Sequence, residues 1–241
     1  MAGYEFFNVP ETCCVGSTIF KNLFYKNGNL SAQDKKVFTD VVDKVTWLYC
    51  LKSDTINIKP YKDETRDYSE IEFLKVKILE DRKVRRIAEI IMRAIPYPMI
   101  LVFRLNDSIK IVTAHESINQ NDPDANTIEE FAYTGWLGQD DAFLNKLDIR
   151  KMRFTNYYAL YSDIMDAICI YNAECMLCKS TNLSADKARE FLKKMNYIET
   201  QIDTLRASIK KEDQFNHKME LNIKIKRLEE AKNRLIKEAA S

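Results

Sequence analysis

The run Met99-Ile100-Leu101-Val102-Phe103 constrains this chain more than any other segment. Five successive apolar residues present both faces of a strand to apolar surroundings. Such a strand belongs in the middle of a sheet that is covered on both sides. Its flanks are punctuated. Upstream, Pro96 drives Ile95 out of helical conformation and closes a helix predicted over 81–94, with Val84, Ile87, Ile91 and Ala94 facing inward. Downstream, Asn106-Asp107 predicts a tight turn, and 108–114 returns as the next strand.

The rest of the N-terminal region is read around this centre. Residues 3–30 read as an irregular, aromatic-rich segment laid onto the core. Ser31 is a helix N-cap, with Asp34 completing an acidic variant of the capping box. Val37, Val41, Val45 and Leu48 recur at three- and four-residue steps, so the helix is expected to run to about Leu51. Thr55 to Ile58 reads as a short strand ended by Pro60, and 61–68 as a polar linker. Residues 71–79 read as a longer strand. There Lys75 and Lys77 share parity with Ile71 and Phe73, which calls for a bulge or a partly exposed edge. A polar loop over 119–126 and an aromatic strand over 130–136 follow. Helix and strand in this order predict an α+β domain over 1–150, a mixed sheet with helices packed on it.

Residues 151–241 read as a helical arm. Gly and Pro number only five each in 241 residues, so long uninterrupted elements are expected. One helix spans about 154–178, with Tyr157, Leu160, Tyr161, Ile164, Ile168 and Tyr171 as its apolar stripe. Ser184 caps the next. Met195, Ile198, Ile202, Leu205 and Ile209 then form a coiled-coil-like seam. The phase breaks across 211–217 and restarts as Leu221, Ile225, Leu228, Lys232 and Leu235. Either two helices fold back as a hairpin or one long helix changes face. A hairpin is favoured, because each half then covers the other's stripe. Stripes this apolar are the expected interface for self-association or for a partner protein.

Several function classes lose support. Net charge is +1, which gives no whole-chain electrostatic case for nucleic acid. The N-terminus has no basic-then-apolar leader pattern, and no run approaches the roughly 18 apolar residues of a membrane span. A soluble cytoplasmic protein with reduced cysteines is expected. Cys175 and Cys178 have the spacing of half a zinc site. The other half would have to come from Cys13, Cys14, His115 or His217, which are scattered. No metal or cofactor is expected. No phosphate loop, nucleophile elbow or His-Glu-x-x-His motif occurs, and His115 lacks a motif around it. A restriction-type nuclease needs acidic-x-Lys on one strand. Glu72 and Lys75 are one residue too far apart, which places them on opposite faces.

One basic cluster stands out, formed by Lys75, Lys77, Arg82, Lys83, Arg85, Arg86 and Arg93. Of these, Lys75, Lys77, Arg82, Arg86 and Arg93 are the candidates for following a phosphate backbone. The bland alternative is a solvated helix face. From Ser184 onward, 14 Lys/Arg stand against 10 Asp/Glu with signs mixed, the pattern of an ordinary charged helix.

The segments SAQDKKVFTDVVDKVTWLYCLKSDTINI, EIEFLKVKI, IPYPMILVF, YTGWL and QFNHKMELNIKIKRLEE resemble a bacterial family known as a domain of unknown function, DUF4391. The resemblance covers nearly the whole chain and carries no catalytic residue with it. It implies a bacterial accessory protein encoded near DNA methyltransferases and helicases of restriction or phage-defence loci. The expectation is therefore a non-catalytic interaction subunit, whose partner is a helicase or methyltransferase subunit or a second copy. The alternatives are a nucleic-acid-binding accessory protein and a divergent metal-dependent nuclease.

Overall fold

The computed structural model describes residues 4–28, 30–118, 126–180 and 182–240. The chain divides into two compact units, Met1–Ile168 and Cys169–Ser241.

In the first unit, short 3-10 turns at Glu5–Phe7 and Glu11–Cys13 lead into β1 (Cys14–Ile19), α1 (Lys21–Asn27), α2 (Ala32–Val41) and β2 (Val42–Leu51). A small ribbon of β3 (Tyr61–Lys62) and β4 (Asp67–Tyr68) precedes β5 (Ile71–Ile78). Then come α3 (Val84–Ala94), β6 (Met99–Leu105), β7 (Ser108–Ile118), β8 (Asn126–Tyr133), 3-10 turns at Ala142–Leu147 and Ile149–Lys151, and α4 (Tyr157–Leu177), whose last turns, from Cys169, belong to the second unit. The main sheet has the order β1-β2-β5-β6-β7-β8. Only β5 and β6 are parallel, joined by α3 as the crossover. The unit is thus a mixed sheet with packed helices, as its pattern of elements predicts.

The apolar run at Met99 sits in β6, with β5 on one side and β7 on the other, and all five of its residues are buried. One face of the sheet packs under α1, α2 and α3. Phe24, Phe38, Ile87 and Ile91 there meet Val45, Leu74, Val76, Leu101 and Phe103. Each large side chain fully removed from water contributes about 1.5–3 kcal/mol. The other face carries Phe73, edge-on to Phe7 at 5.0 Å, and Tyr161 of α4. Pro96 acts as expected. Helix α3 ends at Ala94, and Ile95 is extended at φ −130°.

Five sequence expectations are corrected here. Val42–Leu51 is a strand, not the second half of a helix. Val, Thr, Trp and Tyr fit a pleated surface, and the strand pairs on both edges, with β1 and β5. The three- and four-residue spacing is shared by a strand whose register slips between Trp47 and Tyr49. Residues 14–19, expected to be irregular, form edge strand β1. Its own register slip is made by Gly16 at φ +69°, a conformation that side chains resist. Thr55 to Ile58 is not a strand. Thr55 Oγ1 accepts the Lys52 amide at 3.0 Å and closes a turn. Finally, β5 is interior rather than an edge, and the register slips lie in its partner β2. The last strand is 126–133 rather than 130–136, and most of the expected polar loop, 119–125, lies outside the described residues.

In the second unit, α5 (Ala185–Lys211) opens on Ser184, whose hydroxyl accepts the Lys187 amide, and α6 (Phe215–Ala240) follows. The two are antiparallel. Glu199 pairs with Lys232 at 2.7 Å, while Arg206, farther along α5, pairs with Glu229, earlier in α6, at 3.2 Å. The expected long coiled-coil-like arm is therefore two helices. The break needs no Gly or Pro because Glu212 makes it. Its backbone turns extended at ψ 137°, and its carboxylate accepts the amides of Asp213 and Gln214 at 2.9 Å and faces His217 Nδ1 at 2.6 Å. These bonds hold its carboxyl below the usual carboxylate range, the Gln214 amide first.

Candidate functional site

The helical pair is the first candidate. Of the residues predicted to form its interface, Ile202, Leu221 and Ile225 are buried, and Ile198, Leu205, Ile209, Leu228 and Leu235 are half-buried. The inner faces of α5 and α6 thus take up much of this surface themselves. Two apolar features stay open. A groove of about 710 Å³ runs between the helices, floored by Ile198, Ala231 and Leu235 and walled by Tyr197, which is 66% exposed. Lys193, Lys194 and Arg234 alternate with Glu190 and Glu238 along its rim. On α6, Phe215, Met219 and Ile223 follow one another at four-residue steps, so they share one helix face. All three are exposed, Phe215 at 72%. Sequence reading singled out none of them, because an apolar stripe looks the same whether it faces in or out.

The predicted basic residues do not form one surface. Helix α3 packs on the sheet face that carries Leu74 and Val76. Lys75 and Lys77 alternate with those residues and point from the other face. Arg86 is consumed by Asp34, at 2.9 and 2.8 Å, and by Glu89 at 3.1 Å. Arg82 pairs with Glu80 at 2.7 Å. Arg93 is exposed at the last turn of α3. What Lys75 and Lys77 do meet is Arg104 of β6. With Asn106 these residues line a pocket of about 310 Å³. Arg104 was out of reach of the sequence argument, since its neighbourhood depends on the pairing of β5 with β6.

A third cluster lies where β2 meets β5, on the helix-covered face. Cys50 pairs in register with Glu72, and Trp47 Nε1 donates to Glu72 Oε2 at 2.5 Å. Cys50 Sγ lies 4.0 Å from Glu70 Oε2. One ligand atom from each of Cys50, Glu70 and Glu72 falls within 4.8 Å of the others. Burial pushes the Glu72 carboxyl up to about 7, against the hydrogen bonds from Cys50 and Trp47. Burial and the neighbouring Glu72 charge push the Cys50 thiol up to about 12, so it is no nucleophile near neutral pH. Lys75 points from the opposite face and position 74 is Leu. The carboxylate–Lys pair of a restriction-type nuclease is therefore not assembled here.

His115 is held as a structural residue. It is buried, with Nδ1 2.7 Å from the Tyr68 hydroxyl and its ring against Tyr158 and Tyr161. The Tyr161 hydroxyl accepts the Ala114 amide at 3.0 Å and reaches the Met99 carbonyl at 2.8 Å. It thereby fastens α4 to β6 and β7. Cys175 and Cys178 are exposed at the end of α4, and among the described residues neither belongs to a group of three convergent metal ligands.

Among the described residues, no helix is long and apolar enough to cross a membrane. No curated protein and no solved structure matches the chain. A family model described as a domain of unknown function, DUF4391, matches residues 7–231, and the chain belongs to that family.

Proposed function

We propose that this chain is a non-catalytic interaction subunit that docks a partner protein through the α5–α6 pair. The observation that carries this reading is the apolar row Phe215, Met219 and Ile223, exposed on α6 next to the tip of the pair. Three large apolar side chains at four-residue steps make the kind of anchor that a helix offers to a groove on another protein. The Tyr197 groove adds a second apolar surface with a charged rim, the composition found in protein interfaces.

The class of partner rests on the family resemblance. It points to a helicase or methyltransferase subunit of a bacterial restriction or phage-defence complex, with a second copy of the chain as the other occupant. The test is co-purification from the native host, with light scattering on the isolated chain. Replacing Phe215, Met219 and Ile223 together by Ser is expected to release the partner, or to halve the mass of a homodimer, without lowering the melting temperature. A triple variant that keeps every partner and the wild-type mass overturns the proposal.

A further inference from the structure

Four cations converge on the sheet face away from α3. The register pairs Lys44 of β2 with Lys77 of β5, and Lys77 with Arg104 of β6. Paired residues point to the same side of a sheet, so these three form one row across three adjacent strands. Lys75, two residues back along β5, points the same way. Like charges placed directly opposite one another destabilise a sheet. A chain that keeps such a row at the centre of its sheet is holding positive charge in place at a cost to folding.

The available carboxylates offset it only in part. Asp43 reaches Lys77 at 2.7 Å, and Asp107, almost wholly in solvent, stands 3.8 Å from Arg104. Half-buried Lys75 has no carboxylate partner among the described residues, and its ammonium lies 5.8 Å from the centre of the Tyr4 ring. Burial, then the charges of Arg104, Lys44 and Lys77, pull its pKa down, which marks positive charge that is not balanced from within. Lys75, Lys77 and Arg104 border an open pocket of about 310 Å³ at the carboxyl ends of the parallel pair β5 and β6.

We propose that this pocket binds a phosphoryl group, held by Lys75, Lys77 and Arg104. A multiply charged anion suits three converging cations better than a single carboxylate does. The Arg guanidinium supplies two parallel donors to a pair of phosphate oxygens, and the lysines supply point charges. The phosphoryl group belongs either to a free polyphosphate or to a nucleic-acid backbone, which present the same chemistry to the pocket. The site lies in the first unit and does not depend on the α5–α6 surface.

The experiment uses the full chain with two probes, inorganic pyrophosphate followed by calorimetry and a labelled DNA duplex followed by anisotropy. Lys75→Gln and Arg104→Gln are each expected to weaken binding about tenfold or more, the loss of one charge-assisted hydrogen bond. Lys75→Arg should retain binding, and Arg82→Gln, just before α3, and Arg93→Gln, in its last turn, should leave it unchanged. Thermal melts establish that each variant is folded. If Lys75→Gln does not fold, Arg104→Gln decides. Duplex binding that pyrophosphate does not match identifies a nucleic-acid backbone, and pyrophosphate binding without duplex binding identifies a free polyphosphate. The proposal is overturned if neither probe binds, or if binding survives both Gln substitutions.

Discussion

Arg86 grips Asp34 with two guanidinium nitrogens, at 2.9 and 2.8 Å, and so ties α3 to the first turn of α2. Asp34 also closes the capping box with Ser31, whose hydroxyl accepts the Asp34 amide at 3.1 Å. One carboxylate therefore both starts a helix and joins it to another. Asp34→Ala should destabilise the chain by about 2 kcal/mol, the sum of a lost cap and a lost charge-assisted pair. The Arg86 bonds hold the Asp34 carboxyl well below the usual carboxylate range. Its contribution is complete above the unfolded pKa and fades as pH falls toward the folded one. Urea unfolding of wild type and variant should differ at neutral pH and converge in strong acid.

Glu72 should act in the opposite sense. Burial raises its carboxyl to about 7, so the folded state prefers the protonated acid. Stability from this group is complete below the unfolded pKa, the ordinary glutamate value of about 4.5, and is lost as pH rises toward about 7. Glu116, raised by burial to about 8, adds to the same trend. Glu72→Gln should flatten the decline in unfolding free energy between these limits. Curves that superimpose with wild type at every pH would show that Glu72 stays charged and is compensated.

Tyr161→Phe should cost about 1–3 kcal/mol, because it leaves the buried Ala114 amide without the hydroxyl it donates to in the native fold. Since the hydroxyl sits between β6 and β7 and the ring belongs to α4, hydrogen exchange should quicken at Ala114 before it does in β5. An unchanged melting temperature would mean that water replaces the hydroxyl.

Ile202 and Ile225 are buried in the second unit. Ile202→Asp should cost several kcal/mol, on the order of 2–7 for a polar group buried without a partner. Circular dichroism should show the α5–α6 pair losing helix. Ile223→Asp, on the exposed row, should leave helix content unchanged. The two outcomes separate residues that hold the pair together from residues that face outward.

Glu212→Ala removes the acceptor for the amides of Asp213 and Gln214. Exchange of those amides should accelerate, and the start of α6 should fray. If α5 then runs on into α6 as one helix, the mass distribution in small-angle scattering will lengthen, since an unbroken helix rises 1.5 Å per residue.

Local signals were legible in the sequence wherever a few neighbouring residues decide the outcome alone. The Ser31 and Ser184 caps, the stop at Pro96, the turn at Asn106-Asp107 and the buried strand at Met99 all formed where expected. Each rests on the backbone restrictions or hydrogen-bonding reach of one or two side chains. The quoted segments likewise carry the family, which is recognised from sequence alone.

The tertiary structure decided what depends on partners distant in sequence. Val42–Leu51 carries a pattern compatible with helix, and it became a strand because β1 and β5 offered pairing on both edges. That choice placed Cys50 beside Glu72. Through the register slip after Val42, it also placed Lys44 beside Lys77, in one row with Arg104. A one-residue change of register turns every side chain to the other face of a sheet, so no local spacing could have shown these groups meeting. The same holds for the arm. Heptad spacing marked its apolar stripes, but only the fold-back at Glu212 determined that Ile202, Leu221 and Ile225 are buried while Phe215, Met219 and Ile223 face outward.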